Sequence, residues 1–216
     1  MSDATTIATD HPARIGPGRL VLVTGPSGAG KDTLLNLARA ACTEDRTIVF
    51  PRRIVTREAS SFEDNQHLSF ESFPAALARG EFAVHWEAHG LCYALPRAVD
   101  DDIRAGRIVV ANVSRTVIGA MRRAYVNTVV VEITAPPEVL EERLSMRARG
   151  SDGAIEPRLR RKVDPACAAP DIVIVNVGEA EIHARQLLAA IRRDPQDIAE
   201  ERERQDHVGH RDDRTA

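Results

Sequence analysis

Lysine is almost absent from this chain of 216 residues: of 29 basic side chains only Lys31 and Lys162 are lysine, and the rest are arginine. Each lysine is therefore worth locating. Cysteine is also scarce, with Cys42, Cys92 and Cys167 an odd set at wide spacings and no C-x-x-C, which excludes a disulfide framework and a zinc knuckle. That usage fits a reducing cytoplasm. No apolar run approaches the roughly 18 to 20 residues needed to span a bilayer, and the N-terminus lacks a basic segment followed by an apolar stretch. An excess of one charge is missing too. The 32 acidic residues against 29 basic ones leave a net charge of −3, so nothing global favours nucleic acid or an anionic membrane as partner. Any phosphate recognition must be local. What is present is an ordinary globular mixture, 43% hydrophobic and 28% charged, at a length suited to one soluble domain with small inserts.

Residues 1–18 lack periodicity and read as a loose N-terminal arm ending at Gly16-Pro17-Gly18, so structure is expected from Arg19. Leu20 to Thr24 is a continuous aliphatic run of strand length, the kind buried on both faces of a parallel sheet. After Gly30, the apolar residues Leu34, Leu35, Leu37, Ala38 and Ala41 fall at near-helical spacing up to about Cys42. Further buried strands are expected at 47–50, 107–113, 128–133 and 171–175, with helices at 70–79, 97–105, 115–124, 137–148 and 179–193. This alternation predicts an α/β fold with a doubly wound parallel sheet. Residues 51–97 interrupt it as a small inserted subdomain. Residues 194–216 are dense in charge and read as a frayed helix and solvated tail, leaving a core domain over 19–193.

Gly25-Pro26-Ser27-Gly28-Ala29-Gly30-Lys31 matches the first seven positions of G-x-x-x-x-G-K-[ST], placed between the predicted strand and helix. Such a loop curls its N–H groups around a phosphate, and the helix that follows adds its positive end. Lys31 would bridge the β- and γ-phosphates of ATP. The alternative is a glycine-rich turn with no ligand. Asp32 stands where a hydroxyl usually serves Mg²⁺, with Thr33 one position later. Asp32 either holds the ion, directly or through water, or favours the helix N-terminus electrostatically.

Beyond the loop, Arg53-Ile54-Val55-Thr56-Arg57, Gly80-Glu81-Phe82, His89-Gly90 and Tyr93 resemble the acceptor-binding region of guanylate kinases. The resemblance spans about residues 19–192. It continues in Arg143-Leu144, Arg147, Ile155 and Arg158-Leu159, similar to that family's arginine-bearing lid over about 143–162, and in Asp171 to Asn176, similar to its adenine-side strand and loop. It implies a P-loop kinase fold. The positions that grip an acceptor phosphate are kept as Arg53, Arg57 and Tyr93, but the guanine-reading glutamate falls on Val84, the hydroxyl on Leu95 and a second tyrosine on Asn65. A carboxylate that pairs with guanine cannot be replaced by valine, so the acceptor is expected to carry phosphate and no guanine.

The ribose 1,5-bisphosphate phosphokinases of phosphonate breakdown fit that description, and the chain is similar to them in Gly25 to Thr33, including Asp32. Thr56-Arg57, the run Trp86, Ala88, Gly90, Leu91 and Tyr93, and the strand end Asn112, Ser114 and Arg115 are similar as well. The resemblance implies transfer of the ATP γ-phosphoryl group to the 1-phosphate of ribose 1,5-bisphosphate, giving 5-phosphoribosyl 1-diphosphate. It implies catalytic roles for Lys31, Arg57, Arg147 and Arg158, nucleotide binding by the loop through Thr33 with Arg143 and Asn176, and substrate binding by Arg53, Arg57, Trp86, His89, Tyr93 and Asn112. Asp32 and Thr33 are the Mg²⁺ candidates. A nucleoside monophosphate kinase and a non-catalytic binding module of the same fold are the alternatives, and monomer and homodimer both stay open.

Overall fold

The computed structural model describes residues 13–56, 65–88, 90–148, 169–194 and 197. Its main sheet has five parallel strands in the order β2-β7-β1-β8-β9: β1 (Ile15–Thr24), β2 (Ile48–Val49), β7 (Ile108–Asn112), β8 (Tyr125–Thr134) and β9 (Ile172–Val175). A second sheet of four strands, β4-β3-β6-β5, is built from β3 (Arg53–Val55), β4 (Asn65–His67), β5 (Phe82–Ala88) and β6 (Leu91–Pro96). It interrupts the parallel alternation between β2 and β7.

The run in β1 is apolar throughout because its two faces meet different layers. Val21 and Val23 face one core with α1 (Lys31–Ala41) and α6 (Ala180–Arg192), whereas Leu20 and Leu22 face another with α3 (Ala98–Arg104) and α4 (Arg115–Ala124). Each such side chain is worth about 1.5 to 3 kcal/mol when fully buried. Val84, Trp86 and Leu95 of the second sheet belong to the latter core, which ties that sheet to the main one. A third, smaller cluster packs Ile54, Phe82 and Ala94 under α2 (Phe73–Ala78). No helix among the described residues is long and apolar enough to cross a membrane.

Two strands start earlier than the sequence expectation, and α2 starts three residues later, at Phe73. Strand β1 starts at Ile15, not Arg19: Ile15 is buried and pairs with Tyr125, while the Arg14 guanidinium donates to the carbonyls of Arg122 and Tyr125. Loop-like glycines and proline hid a strand that bulges between Ile15 and Arg19. Strand β8 also starts three residues early, at Tyr125, because that residue is polar only at its tip. Its ring is 1% exposed and its hydroxyl donates to Asp100 Oδ1 at 2.6 Å, while Arg97 Nε lies 3.1 Å from Asp100 Oδ2.

Burial and the Asp100 carboxylate together push the Tyr125 phenol far above its ordinary range, so the hydroxyl remains a donor at every working pH. Tyr125→Phe leaves a fully buried carboxylate one donor short, and a loss of about 1 to 3 kcal/mol is expected. Urea denaturation reads it. A change under a few tenths would mean that Arg97 alone satisfies Asp100.

Candidate active site

The glycine-rich segment links β1 to α1 at the C-terminal edge of the parallel sheet, where such folds hold their ligands. Gly25 takes φ 139° and Gly30 takes φ 85°, conformations that β-carbons resist. Space is short as well. A β-carbon on Gly25 would stand 1.9 Å from the Ile133 carbonyl oxygen, and one on Gly30 would stand 2.4 Å from Asn176 Nδ2.

The outside of the loop is held by donors. Asn176 Nδ2 donates to the Ala29 carbonyl at 2.8 Å, and the Arg143 guanidinium donates to the Gly28 carbonyl at 3.3 Å and the Asn176 carbonyl at 3.1 Å. In a trans peptide the carbonyl and the next N–H point opposite ways. Fixing the Ala29 oxygen outward therefore turns the Gly30 N–H to the other side of the loop. Lys31 lies back across the loop, its Nζ donating to the carbonyls of Gly25 at 2.9 Å and Pro26 at 2.8 Å.

Asn112, at the end of β7, donates through Nδ2 to Asp32 Oδ1 at 3.1 Å in the first turn of α1. Both side chains line a cleft between α1 and the second sheet. Leu35, Asn36 and Arg39 extend the α1 wall, and Arg53, Asn65 and Leu95 face them from the second sheet. Tyr93 pairs opposite Trp86, their rings stacked at 5.6 Å and 10°, and the Arg53 guanidinium sits 5.0 Å over the Tyr93 ring. Stacking of this kind holds a guanidinium in place through its face and leaves its hydrogen-bonding donors in the plane.

The structure brings Lys31, Asp32, Arg143, Asn176 and Asn112 around one loop, and puts Arg53 and Tyr93 on the neighbouring sheet. Trp86 is 2% exposed within the core and stacks against Tyr93. Asn176 is 4% exposed, and its amide donates to the Ala29 carbonyl. Thr33 is exposed on α1, away from the cleft lining. Arg57, His89 and Arg158 lie outside the described residues, as does the Arg147 side chain, although its backbone belongs to α5 (Pro137–Ala148). The expected lid beyond residue 148 lies outside them as well, as do the N-terminal arm before residue 13 and the tail after 194 apart from residue 197.

Sequence reasoning missed Asn36 and Arg39, whose polar character at helix spacing reads as an exposed surface. It also missed Glu132, which pairs with Arg115 beside the loop. No local motif marks that pair, since 17 residues separate its members.

No protein-family model matches the chain. A ribose 1,5-bisphosphate phosphokinase PhnN of Bradyrhizobium diazoefficiens is 60% identical over 192 residues, 89% of this chain and 97% of the relative. The protein of the same description from Rhodopseudomonas palustris is 61% identical over 178 residues, 82% of this chain and 90% of the relative. Among solved structures, a guanylate kinase from Anaplasma phagocytophilum superposes with a TM-score of 0.57 at 23% identity, covering 83% of this chain and 86% of that one, which speaks for the fold. Identity at that level, over nearly the full length of both relatives and on the P-loop kinase architecture just described, makes this chain a member of the ribose 1,5-bisphosphate phosphokinase family.

Proposed function

We propose that the chain transfers the γ-phosphoryl group of ATP to the 1-phosphate of ribose 1,5-bisphosphate, releasing ADP and 5-phosphoribosyl 1-diphosphate. The observation that carries this reading is a braced phosphate loop opening onto a cleft with an apolar wall where guanylate kinases read a base. Leu95 lines that wall and Val84 is buried behind it, paired directly across the strands. Neither side chain can pair with guanine, while the cationic groups that suit phosphate remain.

An acceptor phosphate is already largely anionic at neutral pH, so its oxygen needs no base to remove a proton. That oxygen attacks the γ-phosphorus in line, the new P–O bond forming as the bond to the β-bridging oxygen breaks and its electron pair leaves with ADP. Two polyanions must meet, so positioning and charge carry the rate. Lys31 leaves the Gly25 and Pro26 carbonyls for the β- and γ-phosphate oxygens. Arg53, Arg57 and Tyr93 hold the acceptor's phosphates, and Arg143, Arg147 and Arg158 supply charge from the lid side. Asn176 and Arg143 keep the loop's carbonyls turned away from the nucleotide.

Mg²⁺, when bound, neutralises phosphate charge. Asp32, in the first turn of α1 after the loop, is a hard oxygen donor that would suit the ion, and Asn112 donates to it. Thr33 is the second candidate from its place in the motif. The free thiols Cys42 and Cys92 suit a reducing cytoplasm, where phosphonate use would generate the acceptor.

A coupled ATP-to-ADP assay offering ribose 1,5-bisphosphate, GMP and ribose 5-phosphate separately tests the reading. Turnover is expected with the bisphosphate and at least a hundredfold less with GMP, since an unpaired guanine edge against Leu95 discriminates by orders of magnitude. Preference for GMP would overturn it in favour of a nucleoside monophosphate kinase.

A further inference from the structure

Transfer requires only one acceptor phosphate beside the loop, and a doubly phosphorylated sugar carries a second at its other end. Along α1 the residues that face the cleft are Asp32, Leu35, Asn36 and Arg39, spaced i, i+3, i+4 and i+7, so a single stripe of the helix forms that wall. Asp32 lies in the first turn, beside the loop and held by Asn112. Arg39 lies in the last, seven residues and about 10 Å farther at roughly 1.5 Å per residue. That displacement matches the length of a pentose carrying a phosphate at each end.

The character of the wall changes along this distance. Asp32 is the one carboxylate among the cleft-lining residues, and it is at the loop end. Arg39 stands at the other end, in the last turn of α1, and Asn36, Arg53 and Asn65 complete the polar lining with cationic and carboxamide groups and no further carboxylate. Each guanidinium is stationed over an aromatic face, Arg39 at 5.7 Å from the Phe50 ring centre and Arg53 at 5.0 Å from that of Tyr93. Phe50 lines the cleft as well, so its ring seats the Arg39 head beside the cleft.

Two ring-seated guanidiniums flanked by amide donors suit a tetrahedral dianion, which planar forks bind through paired N–H groups. Leu95 lines the same cleft and offers no polar partner to a base. We propose that the far end of the cleft, built on Arg39 and Asn36 with Arg53 flanking, binds the phosphate of the acceptor that does not react. Arg39 is then the residue that selects a doubly over a singly phosphorylated sugar. This rests on the kinase reading above, whose acceptor is ribose 1,5-bisphosphate.

The test crosses a protein change with a substrate change. Wild-type protein and Arg39→Gln are assayed with ribose 1,5-bisphosphate and with ribose 1-phosphate, which keeps the reacting phosphate and lacks the other. Wild type is expected to favour the bisphosphate in kcat/KM by at least a hundredfold. Arg39→Gln is expected to shrink that ratio at least tenfold through a higher KM for the bisphosphate, and Arg39→Lys, which keeps charge without the planar fork, should fall between. A thermal melt of each variant identifies any that fails to fold, and the ratio is then taken from Arg39→Lys alone.

An unchanged ratio in the folded variants would overturn the proposal, as would a wild type that uses both acceptors equally; either leaves the kinase reading intact. A wild type silent with both acceptors would count against the kinase reading instead. The subsite would then be decided by calorimetry of the bisphosphate on wild type and variant, where equal affinities overturn it and a tenfold weaker variant supports it.

Discussion

Lys31→Ala will lower kcat with ribose 1,5-bisphosphate by about a thousandfold or more, the scale of losing a principal donor to developing phosphoryl charge. Nζ is already within the loop, on the carbonyls of Gly25 and Pro26 at 2.9 and 2.8 Å, so the ammonium needs only to swing from those oxygens onto phosphate oxygens a short way off.

Stability should hardly move. The two carbonyls are only partly buried, and water can replace the ammonium there, so a change within about 1 kcal/mol is expected. The paired measurement is turnover in the coupled assay and a urea midpoint. Activity and stability falling together would show that the lysine holds the loop's shape, and its place in the chemistry would have to be reconsidered.

How much of this was legible in the sequence varies by element. The parallel strands were plain because a strand covered on both faces must be apolar throughout, and Leu20 to Thr24 is such a run. The loop was plain because its backbone needs glycine at fixed places. The start of β1 was hidden because Gly16-Pro17-Gly18 carries turn chemistry inside a bulged strand, whose anchor, Arg14 on the carbonyls of Arg122 and Tyr125, spans more than 100 residues.

The acceptor cleft was half legible. Its sheet-side residues came through resemblance, but the α1 wall did not, because a polar stripe facing a cleft and one facing solvent are written alike. Only the placement of the second sheet opposite Asn36 and Arg39 separates the two cases. Trp86 reads ambiguously from sequence, since a lone tryptophan near a substrate motif suits contact and core packing alike, and here it is 2% exposed and stacked on Tyr93.

Gly25→Ala should be the most disruptive small change in the phosphate loop. The φ of 139° is one that L side chains rarely adopt, and the added carbon would stand 1.9 Å from the Ile133 oxygen and 3.0 Å from its carbonyl carbon. Those atoms cannot yield, since Ile133 lies in β8, which pairs with β1 on one side and β9 on the other. Either the loop moves or the sheet does. Gly106→Ala isolates the backbone part of this cost, because Gly106 has φ 81° and nothing within 4 Å of an added carbon. It should cost about 1 to 2 kcal/mol, the ordinary expense of a left-handed residue. Gly25→Ala should exceed that by about 2 kcal/mol if the sheet gives way, the scale of overpacking in a core. If the loop gives way instead, stability loss will be smaller and ATP affinity will fall at least tenfold, because the Gly30 N–H set by Asn176 loses its register. Urea midpoints and nucleotide titration on both variants separate these outcomes. Equal stability and equal ATP affinity in the two would mean that contact with Ile133 does not set the loop's shape.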